Sequence, residues 1–177
     1  MIDVELIDEF IPFIHPNQYV DYCKENPAVI KATELYKKSD NFFDIVEAIY
    51  GFVIENITYD YDQAETVEFG YIPDLKQIIE RGSGICFDMA ALTVAMLRSQ
   101  GIPAKLVFGN YSDPENGILY HAWVSVFSEH DGKIGENIFF TGGTWNILDP
   151  SLSSRLCLSS SINLVGDGSA HQAMYYY

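Results

Sequence analysis

Apolar side chains recur at Phe42, Ile45, Val46, Ile49, Phe52 and Val53, the spacing of one helical face. The stripe predicts a core-facing helix from Phe42 to about Asn56, with Asp40 or Asn41 as its cap. Ahead of it, Pro27 to Lys38 opens on proline and closes on lysines, the polarity of a helix. The chain up to about residue 60 therefore reads as mainly helical. Thr58-Tyr59-Asp60-Tyr61-Asp62 loses the period and reads as a loop or a short extended piece. Asp74 is placed to cap a short helix ending near Gly82. Gly82-Ser83-Gly84 then breaks the chain before its strongest helical stretch, CFDMAALTVAMLRSQ from Cys86 to Gln100. Arg98 falls in the last turn, Gly101 follows as a C-cap, and Pro103 forbids continuation.

Beyond Pro103 the period shortens. Ala104–Gly109, Tyr120–Phe127, Ile134–Phe140 and Thr144–Leu148 are rich in Val, Ile, Phe and Trp and read as strands. His130-Asp131-Gly132-Lys133 offers an Asp-Gly hairpin turn, and Gly142-Gly143 a further break. Helices first and antiparallel strands afterwards argue for an α+β fold. At 177 residues the chain fits one domain over 1–177, helical to about residue 100 and β-rich from about 104 to 150. The tail 159–177, with its serines, glycines and closing tyrosines, has no assigned place.

Composition narrows the function classes. Hydrophobic residues make up 48% of the chain and charged residues 20%, the balance of a globular protein. The formal net charge of −15 repels phosphate backbones and argues against nucleic acid as a partner. The same field weakly favours a cationic substrate. Cys23, Cys86 and Cys157 are an odd, widely spaced set without a CxxC pair, so neither a disulfide framework nor a structural zinc site is expected. No apolar run reaches membrane-spanning length. The acidic N-terminus does not read as a signal peptide, which suggests a soluble, cytoplasmic chain. An exported or cell-surface location would require a leader removed from ahead of it.

Candidate chemistry centres on Cys86. A thiol at the start of a helix feels the positive end of the dipole, which favours thiolate. The first-turn N–H groups lack intrahelical partners and could hold an oxyanion. The bland alternative is a small buried hydrophobe. His121 lies in the strand Tyr120-His121-Ala122-Trp123-Val124, where alternation sets it with Trp123 and Ser125 on one face. Asp149 ends that region before Pro150 and is either a partner for an imidazole or a plain Asp-Pro turn residue. Asp88 is expected to stabilise the first helical turn, and His15, His130 and His171 to lie on the surface.

Order and setting connect these residues. Gly84-Ile-Cys86-Phe-Asp-Met-Ala90, Leu97-Arg-Ser-Gln-Gly101-Ile-Pro103, His121-Ala-Trp123 and Leu148-Asp149-Pro150 resemble, in sequence order, the blocks of the transglutaminase-like superfamily. Tyr59-Asp60-Tyr61 and Gly70-Tyr71-Ile-Pro73 look like the upstream part of its bacterial members. The resemblance covers about residues 42–155. It implies a papain-like core, with the nucleophile helix packed on an antiparallel sheet, and a catalytic Cys86–His121–Asp149 triad.

That triad implies attack by Cys86 on an amide carbonyl, a thioester intermediate, protonation of the leaving amine by His121 and orientation of His121 by Asp149. Hydrolysis of a peptide, isopeptide or amide bond is the first expectation for a bacterial member of this size. Transfer of the acyl group to an amine is the second. A non-catalytic peptide-binding or assembly module is a reading of another class. Tyr61 or Gln63 would be a side-chain oxyanion donor and Trp123 a wall of the cleft, each with a structural alternative. No cofactor or metal is expected. A metal site from Cys86, His121 and Cys157 has no supporting spacing. The partner expected is a peptide or protein substrate.

Overall fold

The computed structural model describes residues 8–155 and 168–177. Helix α1 spans Pro27–Tyr36 and α2 spans Phe42–Asn56. Asn26 caps α1, with Pro27 at its first position, where a missing N–H costs nothing. Asn41, rather than Asp40, caps α2 by accepting from Phe43 and Asp44. The apolar stripe of α2 buries Ile45, Val46, Ile49 and Val53.

Thr58–Tyr59 (β1) runs parallel to Ser83–Gly84 (β2), which ties the end of α2 to the approach to Cys86. Between them lie α3 (Tyr61–Thr66), capped by Asp60, and α4 (Leu75–Arg81), capped by Asp74. Gly82 ends α4 in the left-handed conformation, at φ 68°, which a side chain would strain. Helix α5 covers Cys86–Arg98 and is buried from Asp88 to Arg98. Arg98 does more than face a helix end. It is 2% exposed and donates to the carbonyls of Ala104, His15 and Tyr177.

Four antiparallel strands form the main sheet: β3 (Ala104–Asp113), β4 (Gly117–Ser128), β7 (Thr144–Leu148) and β8 (His171–Tyr176), in the order β7-β4-β3-β8. Ala104, Leu106, Ala122, Val124, Val126 and Leu148 join the buried faces of α1, α2 and α5 in one apolar cluster. Strands β3 and β4 run longer than their apolar patterns, through a tight turn in which Asp113 accepts from the Glu115 and Asn116 amides. Among the described residues, no helix is long and apolar enough to cross a membrane.

Three expectations need correction. The Asp131-Gly132 pair does not turn a hairpin between β4 and the next strand, because β4 pairs with β7 instead. Gly132 opens a separate small hairpin, β5 (Gly132–Ile134) with β6 (Ile138–Phe140), so Ile134–Phe140 is not one strand: its middle is the turn, which holds Gly135 at φ 56°. Gly132 serves close packing: a Cβ there would meet the Phe43 ring at 2.2 Å. The end of the tail, unplaced by its composition, is the edge strand β8 against β3.

Candidate active site

Cys86 occupies the first position of α5 and is half-buried. The turn before it is held by Asp88, which is fully buried. Its carboxylate accepts from the Ile85 amide at 3.0 Å, the Tyr71 hydroxyl at 2.6 Å and the Gln63 amide at 3.0 Å. Burial pushes the Asp88 carboxyl up, against the lowering effect of those donors and of Arg81. Gly84 is required here, since a Cβ would lie 2.6 Å from that of Asp88. The sequence thus sets the thiol at a helix start fixed from below, with first-turn amides that have no carbonyl one turn back.

His121 stands on β4 opposite Gly109 of β3. Asp149 follows β7 directly and is 0% exposed. Pro150 does more than end a strand: it begins helix α6 (Pro150–Arg155), and Asp149 caps it. One carboxylate oxygen of Asp149 accepts from the Leu152 amide at 3.0 Å and the Ser151 hydroxyl at 3.0 Å. The Tyr50 hydroxyl donates to the Asp149 carbonyl at 2.9 Å, which pins the backbone to α2. The second carboxylate oxygen meets His121 Nε2 at 2.8 Å. A carboxylate can only accept, so Nε2 carries the proton. The Cys86 thiol and this ring line the same cleft, and Nδ1 is the ring nitrogen that Asp149 does not engage.

Electrostatics follow from this arrangement. Burial works against a charged His121, but the Asp149 carboxylate outweighs it, with Cys86 adding in the same direction. His121 is raised from 6.5 to about 10. Burial would raise Asp149, yet His121, the His171 N–H and the Leu152 amide together hold it well below the usual carboxylate range.

His171 was expected at the surface and is not there. Its side chain is fully buried, and Nε2 lies 3.1 Å from the Asp149 oxygen that also meets His121. Its ring packs on Trp123 at 4.9 Å and Tyr111 at 5.0 Å. Nδ1 is buried with no hydrogen-bond partner among the described residues, and Nε2 donates to Asp149. Gly109 makes room for this packing: a Cβ there would meet the Gln172 carbonyl oxygen at 2.1 Å and the Trp123 ring at 2.8 Å. The signal in the sequence was the strand-like run His171-Gln-Ala-Met-Tyr-Tyr176, hidden behind a serine- and glycine-containing stretch.

Cys86 and His121 open on a cleft of about 470 Å³. Tyr61, Gln63 and Trp123 do not line it. Tyr61 is exposed and packs on Tyr59. The Gln63 side chain is engaged with Asp88 and with Arg81 at 2.9 Å, so it braces the turn below the thiol. Trp123 is buried beneath the histidines. His15 and His130 are exposed, as is Cys23; Cys157 lies outside the described residues. Among the described residues, no group of three or more His, Cys, Asp or Glu side chains is arranged to hold a metal ion.

These features carry a family assignment. Residues 31–150 match the model of the transglutaminase-like superfamily, and the chain belongs to that superfamily. A Bacillus subtilis (strain 168) protein, "Uncharacterized protein YebA", is 28% identical in an alignment of 124 residues that covers 58% of this chain and 16% of that protein. A Cytophaga hutchinsonii structure described as a "Putative Cysteine Protease" superposes with a TM-score of 0.59 at 24% identity, over 83% of this chain and 43% of the other. The periplasmic domain of TgpA from Pseudomonas aeruginosa, bound to ethylmercury, gives 0.51 at 19% identity, over 82% and 50%. The two structures show a shared fold. The chain spans half or less of the length of each of these relatives.

Proposed function

We propose that the chain is a thiol-dependent amide hydrolase with Cys86 as nucleophile, His121 as acid and base, and Asp149 as the group that orients His121. One observation carries this reading. The His121 ring bonds a fully buried carboxylate through Nε2 and shares one cleft with the Cys86 thiol, which adds to its raised proton affinity.

Cys86 Sγ attacks the carbonyl carbon of a peptide, isopeptide or other amide, and an S–C bond forms. The carbonyl oxygen takes the negative charge and faces the first-turn amides of α5, with Cys86 N–H the nearest donor by position. Collapse breaks the C–N bond, and the His121 proton goes to the leaving amine. Water then gives its proton to His121 while its oxygen bonds the carbonyl carbon. The S–C bond breaks, the acid leaves, and thiolate and imidazolium are restored. A primary amine in place of water gives acyl transfer by the same steps. The −15 charge favours a cationic peptide or protein substrate.

Iodoacetamide alkylation of Cys86, followed by intact mass across pH, tests the reading. Alkylation is expected at pH 6 in the native chain, where an ordinary thiol with a pKa near 8.5 is almost all protonated. It should fall at least tenfold in His121→Ala. A native profile that simply tracks an ordinary thiol, or no labelling, rejects the triad and favours a binding module on this fold.

A further inference from the structure

The cleft over Cys86 is walled by rings. Phe87 and Phe108 meet at 4.8 Å, Phe108 stacks on Tyr120 at 6.0 Å, and Tyr19 packs against Tyr177 at 4.4 Å. These side chains come from five separate segments of the chain and all line the same cleft. No lysine or arginine lines it among the described residues, and Glu68 is its one Asp or Glu. Two rings stand out at the mouth. Phe69 is 109% exposed, on a turn closed by Gly70 at φ 89°, and Tyr120 is 64% exposed. A fully exposed phenylalanine stabilises nothing in the free chain. Beside a half-buried thiol it is apolar surface that a bound molecule would cover.

We infer that the cleft selects an acyl donor carrying a large apolar or aromatic side chain within two residues of the scissile carbonyl. The occupant is fixed by Cys86, since a group seated here must present a carbonyl carbon to Sγ. The acyl side is chosen because that half stays bonded to Cys86 after the amine departs and has to be held through both steps. Rings supply this hold through apolar area and edge-to-face contacts. The net charge of the whole chain then steers approach, while the cleft itself reads apolar bulk. This inference rests on Cys86 being the nucleophile.

Peptidyl chloromethyl ketones test it. Sγ displaces chloride and forms one S–C bond, read as a mass increase on Cys86. The reagents are Ac-Gly-Phe-CH2Cl, Ac-Phe-Gly-CH2Cl, Ac-Gly-Ala-CH2Cl and Ac-Gly-Lys-CH2Cl, with iodoacetamide as the small control. Burying one aromatic side chain predicts that at least one phenylalanine reagent exceeds the alanine reagent roughly 30-fold in kinact/KI. Phe69→Ala, which removes a ring without folding contacts, should reduce that ratio roughly fivefold. Equal rates across the peptides, a lysine reagent as fast as the best phenylalanine one, or iodoacetamide labelling with no peptide labelling would each overturn the inference while leaving the nucleophile in place. No labelling even by iodoacetamide would overturn the nucleophile, and this inference with it.

Discussion

The His121–Asp149 pair makes stability depend on pH in a direction that can be worked out beforehand. His121 is raised from 6.5 to about 10 in the folded chain. A raised group contributes stability that is fully present below its unfolded value and is lost as pH rises through its folded value. The window therefore runs from about 6.5 to about 10. Each tenfold change in proton affinity is worth about 1.4 kcal/mol, so the ceiling is roughly 5 kcal/mol. Asp149 reports the same contact from the other side and adds nothing further to that figure. Cys86 contributes to the shift, so the measurement belongs in a Cys86→Ser background. Without the thiol's contribution a smaller figure should remain, in the same direction. Urea unfolding would be run at several pH values on Cys86→Ser and on Cys86→Ser/Asp149→Asn. Lysines and tyrosines elsewhere titrate in both chains and cancel in the difference. In the double variant burial is left to act alone, and it disfavours the imidazolium. The single variant should be far more stable than the double near pH 6, with the gap closing towards pH 10. Curves that run parallel over that range would refute a charged His121 held by Asp149.

Two further substitutions probe the support around that pair. His171→Ala removes one of two Nε2 donors to a buried carboxylate oxygen and should cost about 2 kcal/mol by urea unfolding. His171→Gln, whose amide can donate to the same oxygen, should recover part of that loss and of the Cys86 alkylation rate. Gly109→Ala places a Cβ 2.1 Å from the Gln172 carbonyl oxygen and should displace β8, costing about 1 to 3 kcal/mol. Limited proteolysis, read by mass, should then cut within residues 168–177 in the variant before the native chain.

What the sequence disclosed and what it hid divide along a physical line. Local signals were legible: the apolar stripe of α2, the asparagine and aspartate caps, Gly82 and the break after Arg98 each act over one or two turns. So were Cys86, His121 and Asp149, whose setting in their own short segments resembles a family pattern. Partner choice between distant segments was not legible. The Asp131-Gly132 pair has turn chemistry, but the ring of Phe43, far away in the chain, claims the space beside Gly132. Gln63 has an amide suited to an oxyanion, but Asp88 and Arg81 claim both ends of it. His171 has no helix and no motif around it, and its role exists only because β8 pairs with β3 and Gly109 lets the two strands close over Trp123. Gly109 lies opposite His121 in the register. One small residue therefore serves both histidines: it faces the strand position that carries the first, and it admits the strand that carries the second. The Asp149 carboxylate between them is bonded to both, and only the pairing of β8 with β3 brings the second histidine to it.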